Sequence, residues 1–339
     1  MPSAKRVQQS DVQHPALPRG VFTLSVDFEL IWGTLDLFGP RKFERACRIE
    51  REIVIDRLLA LLEEFRVTAT WCVVGHLFLE RCRSVDGRAH PEIARPKHSW
   101  VKGDWFQHDP CTDESRHPLI YGRRLLQRLV ACRVRQEIGS HSFSHVIFGD
   151  RGCSRDTAAS ELRACVAAAD AMQVRLRSFA FPRNRVGHLD LLPDFGFECY
   201  RGPGPRWYEN REPSGPLGRL AHLLDVWLAT TPPLVLPTPT SSGLWNLPGS
   251  MIYFPMHGIR RTVPVSRRVR RARKGLDAAA RGRRVFHLWF HPTNLADQCE
   301  RMLAGLRQIL QHAATLRDRG AIDIVPMGSV CSVRPPALS

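Results

Sequence analysis

Apolar Phe22, Leu24, Val26 and Phe28 alternate with Thr23, Ser25, Asp27 and Glu29, a period of two that predicts a strand over residues 21–29 with an oily face and a polar face. Ile49, Ile53, Leu58, Leu61, Leu62 and Phe65 then recur at helical spacing, and residues 67–75 read as a buried strand, so the chain opens with a strand–helix–strand unit. Periodicity is lost across residues 81–118, which gather prolines, histidines and tryptophans. An insertion of that length in a compact domain is a lid or binding loop. A helix over 121–132 follows, and then a short strand ending at Gly139 that delivers Ser140-His141-Ser142-Phe143-Ser144-His145 onto a first helical turn or a tight loop. Asp156 is expected to cap a helix reaching Met172, with strands over 177–182 and 196–201 and a short helix over 188–195 between them. Residues 231–255, rich in proline and serine, read as a second long loop. A helix over 265–280, a strand over 285–291 stopped by Pro292, a helix over 296–316 and a strand over 321–325 close the pattern.

Strands alternating with helices argue for a parallel sheet crossed by helices, either a (β/α) barrel or an open doubly wound sheet. With 339 residues and 43% apolar content the chain is expected to form one barrel domain over 21–330, with short polar tails at 1–20 and 331–339. Its first residues lack the apolar core of a signal peptide, and no run approaches a membrane span, so a cytoplasmic protein is expected. The ten cysteines are scattered without a CxxC pair, which reads as reduced packing residues, Cys82 included.

The formal charge of +16 changes the picture in one place. Between Arg260 and Arg284 eleven Lys or Arg stand against the single Asp277, a stretch that could dock on an anionic membrane surface, an acidic polysaccharide or nucleic acid, or simply be a solvated helix face. No nucleic-acid-binding module accompanies it, so a nucleic-acid partner is not expected.

Candidate chemistry collects at the ends of the predicted strands, where a barrel places its active site. Asp27 and Glu29 share one strand face, and a shared cation is the economical reason for two carboxylates to do so. His141 and His145 stand four apart, a spacing that lets two imidazoles converge on one divalent ion, and His291 ends a late strand. Two histidines and a carboxylate make a three-ligand hydrolytic site. The second carboxylate is then free to act as base and the third histidine as acid.

The segments Ser-Val-Asp-Phe-Glu, Ala-Thr-Trp-Cys-Val-Val-Gly, His-Ser-Phe-Ser-His, Phe-Ala-Phe-Pro-Arg-Asn and Phe-His-Pro-Thr-Asn resemble the successive motifs of the NodB-homology polysaccharide deacetylases, carbohydrate esterase family 4. The resemblance spans roughly residues 21–325 and implies a distorted (β/α) barrel of about seven strands that removes acetyl groups from N-acetylated sugars with a divalent metal, most often Zn2+. It makes Asp27 the base, Glu29, His141 and His145 the metal ligands, and His291 the acid. Two positions depart from the pattern. Phe28 separates the carboxylates that the family usually places side by side, and strand alternation returns Glu29 to the face of Asp27. Ala180 stands where the family carries an arginine two residues before the proline. Either the guanidinium has moved, to Arg183 or preferably to Arg201, or activity is reduced or redirected.

The expected function is metal-dependent deacetylation of a saccharide, a precursor or lipid-linked unit of a cell-surface polysaccharide. Trp100, Trp105 and Trp245 are candidate platforms for the sugar ring. Hydrolysis of another amide, a cyclic ureide or formyl-sugar, and a catalytically silent sugar-binding barrel are the alternatives.

Overall fold

The computed structural model describes residues 17–206 and 216–330, so the expected tails lie almost wholly outside the described residues. The strands are β1 (Gly20–Phe28), β2 (Thr70–Val73), β3 (Glu137–Ser140), β4 (Ser178–Ala180), β5 (Cys199–Arg201), β6 (Thr238–Pro239), β7 (Trp245–Asn246), β8 (Met251–Ile252), β9 (Val285–Phe290) and β10 (Ile322–Ile324). They form one curled sheet in the order β6-β7-β5-β4-β3-β2-β1-β9-β8, parallel except for the β6–β7 hairpin. β10 pairs with the lower half of β1, beneath β2.

The segment read as a second long loop closes this sheet. Its first half pairs with β5, and past Pro248 its second half pairs with β9, with Leu247 N–H donating to Tyr200 and Ser250 N–H to His287. One bent segment thus fills the gap between β5 and β9, giving seven strand positions around a distorted barrel. Outside β1 and β9 the strands are four residues or fewer, and a three-residue strand such as β4 leaves little period to read.

Helices α1 (Trp32–Phe38), α2 (Glu44–Ile49), α3 (Ile55–Glu64), α4 (Arg123–Val130), α5 (Arg155–Asp170), α6 (Pro216–Trp227), α7 (Val265–Gly282), α8 (Cys299–Asp318) and α9 (Met327–Val330) complete the described chain. In α3, Ile55, Leu58, Leu59, Leu61 and Leu62 are buried, each worth about 1.5–3 kcal/mol of transfer free energy. A one-turn π segment, Glu50–Val54, joins α2 to α3 where a single amphipathic helix was expected. Ser154, not Asp156, caps α5: its hydroxyl accepts from Thr157 N–H, and Asp156 sits in the first turn.

The basic stretch is partly turned inward. Arg268 and Arg271 of α7 are buried, Arg271 and Lys274 donate to the carbonyls of Thr230 and Ala229, and Arg268 donates to that of Arg260. These cations cap backbone groups, and Arg268 and Arg271 are withdrawn from the surface. No helix among the described residues is long and apolar enough to cross a membrane.

Candidate active site

Parallel strands put all their C-terminal ends on one side, so Asp27, Ser140, Ala180, Arg201 and Phe290 finish at one mouth. On β1 the apolar set Phe22, Leu24, Val26 and Phe28 packs outward into the main core, while Ser25 and Asp27 point into the barrel. Ser25 Oγ lies 2.8 Å from His287 Nε2 and accepts from Arg201 at 3.1 Å. Arg201 grips Asp27 with both arms, Nη1 to Oδ1 at 2.7 Å and Nη2 to Oδ2 at 2.6 Å. Both side chains are fully enclosed, 1% and 2% exposed.

His141 and His145 occupy a tight loop, not a helical turn. Ser142 and His145 have φ of 59° and 64°, left-handed values that a helix excludes and that neighbouring groups must enforce. Three groups do so. Glu161 of α5 accepts from Phe143 N–H and Ser144 N–H, each at 2.8 Å, and from the Ser144 hydroxyl. Gly75 N–H and His76 N–H donate to the carbonyls of Ser142 and Phe143. A Cβ on Gly75 would stand 2.7 Å from Cys165 Sγ and 3.0 Å from Phe143 Cα, so only glycine lets the turn after β2 approach this closely.

The imidazoles converge on one oxygen. Glu29 Oε1 lies 2.8 Å from His141 Nε2, 3.4 Å from His145 Nε2 and 3.3 Å from His291 Nε2, and Asp27 Oδ2 lies 3.7 Å from His291 Nε2. His141 Nδ1–H donates to the Ala180 carbonyl at 2.7 Å, so the Nε2 facing Glu29 carries a lone pair in the neutral ring. His145 Nδ1 is buried without a hydrogen-bond partner among the described residues. Lone pairs aimed at a carboxylate oxygen repel unless a proton or a cation lies between them. The donor set, one carboxylate and two imidazoles with a further carboxylate and imidazole alongside, therefore fits a divalent ion.

Burial alone would raise the Asp27 carboxyl, but Arg201, helped by His141 and His291, outweighs it and holds the group below its ordinary value. Burial is also outweighed at Glu29, chiefly by the charge of His291, and the group is held well below the usual carboxylate range. The same pairings act in reverse on His291. Burial disfavours its charged form, yet Glu29 and Asp27 together raise its pKa.

No family model matches the chain, and no curated protein matches it in sequence. Solved structures match over nearly its whole length. A Mycobacterium smegmatis structure assigned as a polysaccharide deacetylase aligns with a TM-score of 0.63 at 16% identity, covering 96% of this chain and 95% of that one. Puue allantoinase aligns at 0.60 and 11% identity over 98% and 97%, and a Pseudomonas aeruginosa PAO1 structure assigned as a polysaccharide deacetylase at 0.56 and 10% over 92% and 90%. The chain has the polysaccharide deacetylase fold.

Within this deacetylase fold six of the expected site residues meet: Asp27, Glu29, His141, His145, Arg201 and His291. Register explains how Arg201 reaches the place of the missing arginine. Ala180 and Arg201 are direct partners in the β4–β5 ladder, and parallel partners point the same way, so the guanidinium enters from the adjacent strand. Arg183 does not reach Asp27. Its Nη2 donates to both Asp36 oxygens, at 2.6 and 2.7 Å, beside Trp100, whose indole N–H donates to the same carboxylate. Trp105 donates to Ser144 Oγ at 2.8 Å and so stands against the histidine loop. Trp245 is not brought to the mouth. It lies in β7 opposite Cys199, the first residue of β5, and packs against the buried cluster that holds Cys199, Val21 and Val285, toward the far end of the barrel.

Sequence reading passed over Glu161, Asp36 and Glu50. Glu50 sits in the π segment, fully buried, with both carboxyl oxygens unpartnered among the described residues. Burial, with the charge of Glu29 adding to it, raises its pKa well above the ordinary value. A glutamate breaking the apolar stripe of the expected helix, four residues before Val54, was its only advance signal.

Proposed function

We propose that this single barrel domain, residues 21–330, is a metal-dependent hydrolase that removes the acetyl group from an N-acetylated saccharide. The observation that carries the reading is the pairing of a buried carboxylate held ionised by Arg201 with an adjoining cluster of three imidazoles on Glu29. Glu29, His141 and His145 would hold the ion, with Zn2+ suited to the donor set. A divalent ion there supplies Lewis acidity toward the acetyl carbonyl and acidifies water. Asp27 accepts the proton of the attacking water, and Arg201 keeps it charged and oriented for that task. His291, at the rim with 28% of its side chain exposed and its Nε2 3.7 Å from Asp27 Oδ2, delivers a proton to the leaving nitrogen as the C–N bond breaks. Acetate and the free amine are the products.

Trp100 and Trp105 supply aromatic walls at the mouth for a sugar ring. The second reading, hydrolysis of another amide, draws on the allantoinase that shares the fold, since the same residues would attack a cyclic ureide. The deciding experiment incubates Zn2+-reconstituted protein with acetylated nucleotide sugars, lipid-linked acetylated saccharides and allantoin. Acetate release supports the deacetylase. Ring opening of allantoin without acetate release supports the second reading, and stoichiometric metal with neither product leaves a silent sugar-binding barrel.

A further inference from the structure

Outside the barrel mouth, a second set of ligand-type side chains converges beneath the long insertion. We propose that His76, Cys82, His90 and Asp109 form a separate structural metal centre of the Zn2+ class that pins the 81–118 segment to the barrel. One ligand-type atom from each lies within 4.8 Å of all the others. Asp109 Oδ2 lies 2.9 Å from His76 Nε2, 3.0 Å from His90 Nε2 and 3.3 Å from Cys82 Sγ, and the two Nε2 atoms are 3.1 Å apart. These separations fall a few tenths of an ångström inside the roughly 3.5 Å edge of a tetrahedral site built on zinc–nitrogen, zinc–oxygen and zinc–sulfur bonds, so small side-chain rotations admit an ion.

With both imidazoles neutral and Asp109 ionised, hydrogen bonds alone do not satisfy the cluster. His76 Nδ1 faces the Ile120 carbonyl at 3.1 Å and must donate to it, which leaves a lone pair on Nε2 of the neutral ring, 2.9 Å from the carboxylate oxygen. His90 Nδ1 lies 3.4 Å from Glu92 Oε1 and is oriented in the same sense. A proton placed on His90 Nε2 still leaves His76 Nε2 and Asp109 Oδ2 as facing lone pairs. A cation removes every such clash. Asp109 is set up for it, since Cys111 N–H and the Tyr121 hydroxyl both donate to its other oxygen, Oδ1, and turn Oδ2 toward the histidines. The carboxylate and His76 are wholly buried, and a thiolate plus a carboxylate balance a divalent charge in that enclosed space. Thiolate and imidazole together select zinc over magnesium or calcium, and four protein ligands leave no open coordination position.

The centre would tie the start and end of the insertion to the turn that follows β2. That turn, Gly75–Phe78, also holds the histidine loop through the Gly75 and His76 amides.

The test uses full-length protein loaded with Co2+ in place of Zn2+, because the mouth cluster contains no sulfur and only the second centre gives a thiolate-to-cobalt charge-transfer band. Wild type is expected to bind two ions per chain and show the band. Cys82→Ser and His90→Gln are expected to lose one ion and the band, while His145→Ala loses one ion and keeps it. The wild-type spectrum is decisive even if a variant fails to fold: no thiolate band, or a band that survives Cys82→Ser, overturns the proposal. Acetate release plays no part in the readout, so the outcome stands apart from the fate of the proposed activity.

Discussion

Replacing Arg201 by alanine is the perturbation that bears hardest on the proposed chemistry. Asp27 and Arg201 are 1–2% exposed and joined by two charge-assisted bonds of 2.6 and 2.7 Å, so the variant leaves a carboxylate enclosed with no guanidinium. Removing one partner of such a buried pair costs about 3–5 kcal/mol if the remaining charge persists, and the site relieves part of that by protonating Asp27. A protonated base cannot take the proton of the attacking water. The expected rate loss is therefore on the order of a hundredfold or more, the usual weight of a positioned general base. Lysine at 201 restores a charge without the planar fork, so Arg201→Lys should recover only part of it.

Two assays separate this from a merely structural role. In the pH profile of acetate release, the acidic limb of Arg201→Ala should move upward, with metal content unchanged. In denaturant unfolding, the lowered Asp27 pKa of the wild type contributes stability above the unfolded carboxylate value and loses it as pH falls through the folded one. With the guanidinium gone, burial dominates and the sign reverses, so the stability gap between wild type and Arg201→Ala should narrow as pH falls. A wild-type rate with an unmoved acidic limb would refute the reasoning.

Further outcomes follow from neighbouring groups. Asp27→Asn should keep its metal while losing turnover, whereas Glu29→Gln should lose metal, both read by elemental analysis beside the acetate assay; the opposite pattern would reverse the two carboxylates. His141→Ala and His145→Ala should each release the mouth ion, and full occupancy of that site in the double variant would end the ligand assignment. Glu50, its pKa raised by burial, contributes stability in full below its unfolded value and loses it as pH rises through the folded one. Glu50→Gln should accordingly flatten the fall in unfolding midpoint between mildly acidic and neutral pH, and identical slopes for variant and wild type would count against a buried, unpartnered carboxyl.

The legible parts of this molecule are those set by local period and strand ends. Alternation over residues 21–29 was enough to bring Asp27 and Glu29 together, although β1 itself ends at Phe28, and the order of strands and helices was enough to choose a parallel sheet. Arg201 could be singled out because it ended a strand, although its partnership with Ala180 is a register fact that no linear spacing expresses. The segment from β7 to β8 read as loop because each of its strands is two residues long and Pro248 divides them. Trp245 was misplaced for the same reason, since a loop tryptophan suggests a binding wall while one at the foot of β5 is packing. The helix cap moved from Asp156 to Ser154 because both are good capping residues, and only the backbone angle at Ser154, extended at φ −75° and ψ 165°, decides between them.

What the sequence conceals most completely is convergence across an irregular segment. Cys82, His90 and Asp109 lie in a stretch with no period, and no motif spacing joins them to His76, so only folding brings the four together. Their position nevertheless has a mechanical logic. The histidine loop keeps two left-handed residues, and each costs about 1–3 kcal/mol unless its surroundings over-determine it. Glu161 fixes the loop from α5, Gly75 and His76 fix it from the turn after β2, and Trp105 of the insertion fixes Ser144 directly. Two of these three restraints run through elements that the His76 cluster joins. The insertion is thus a brace for the ligand-bearing loop as well as a wall of the mouth, and loosening it should disturb the placement of His141 and His145 without touching either residue.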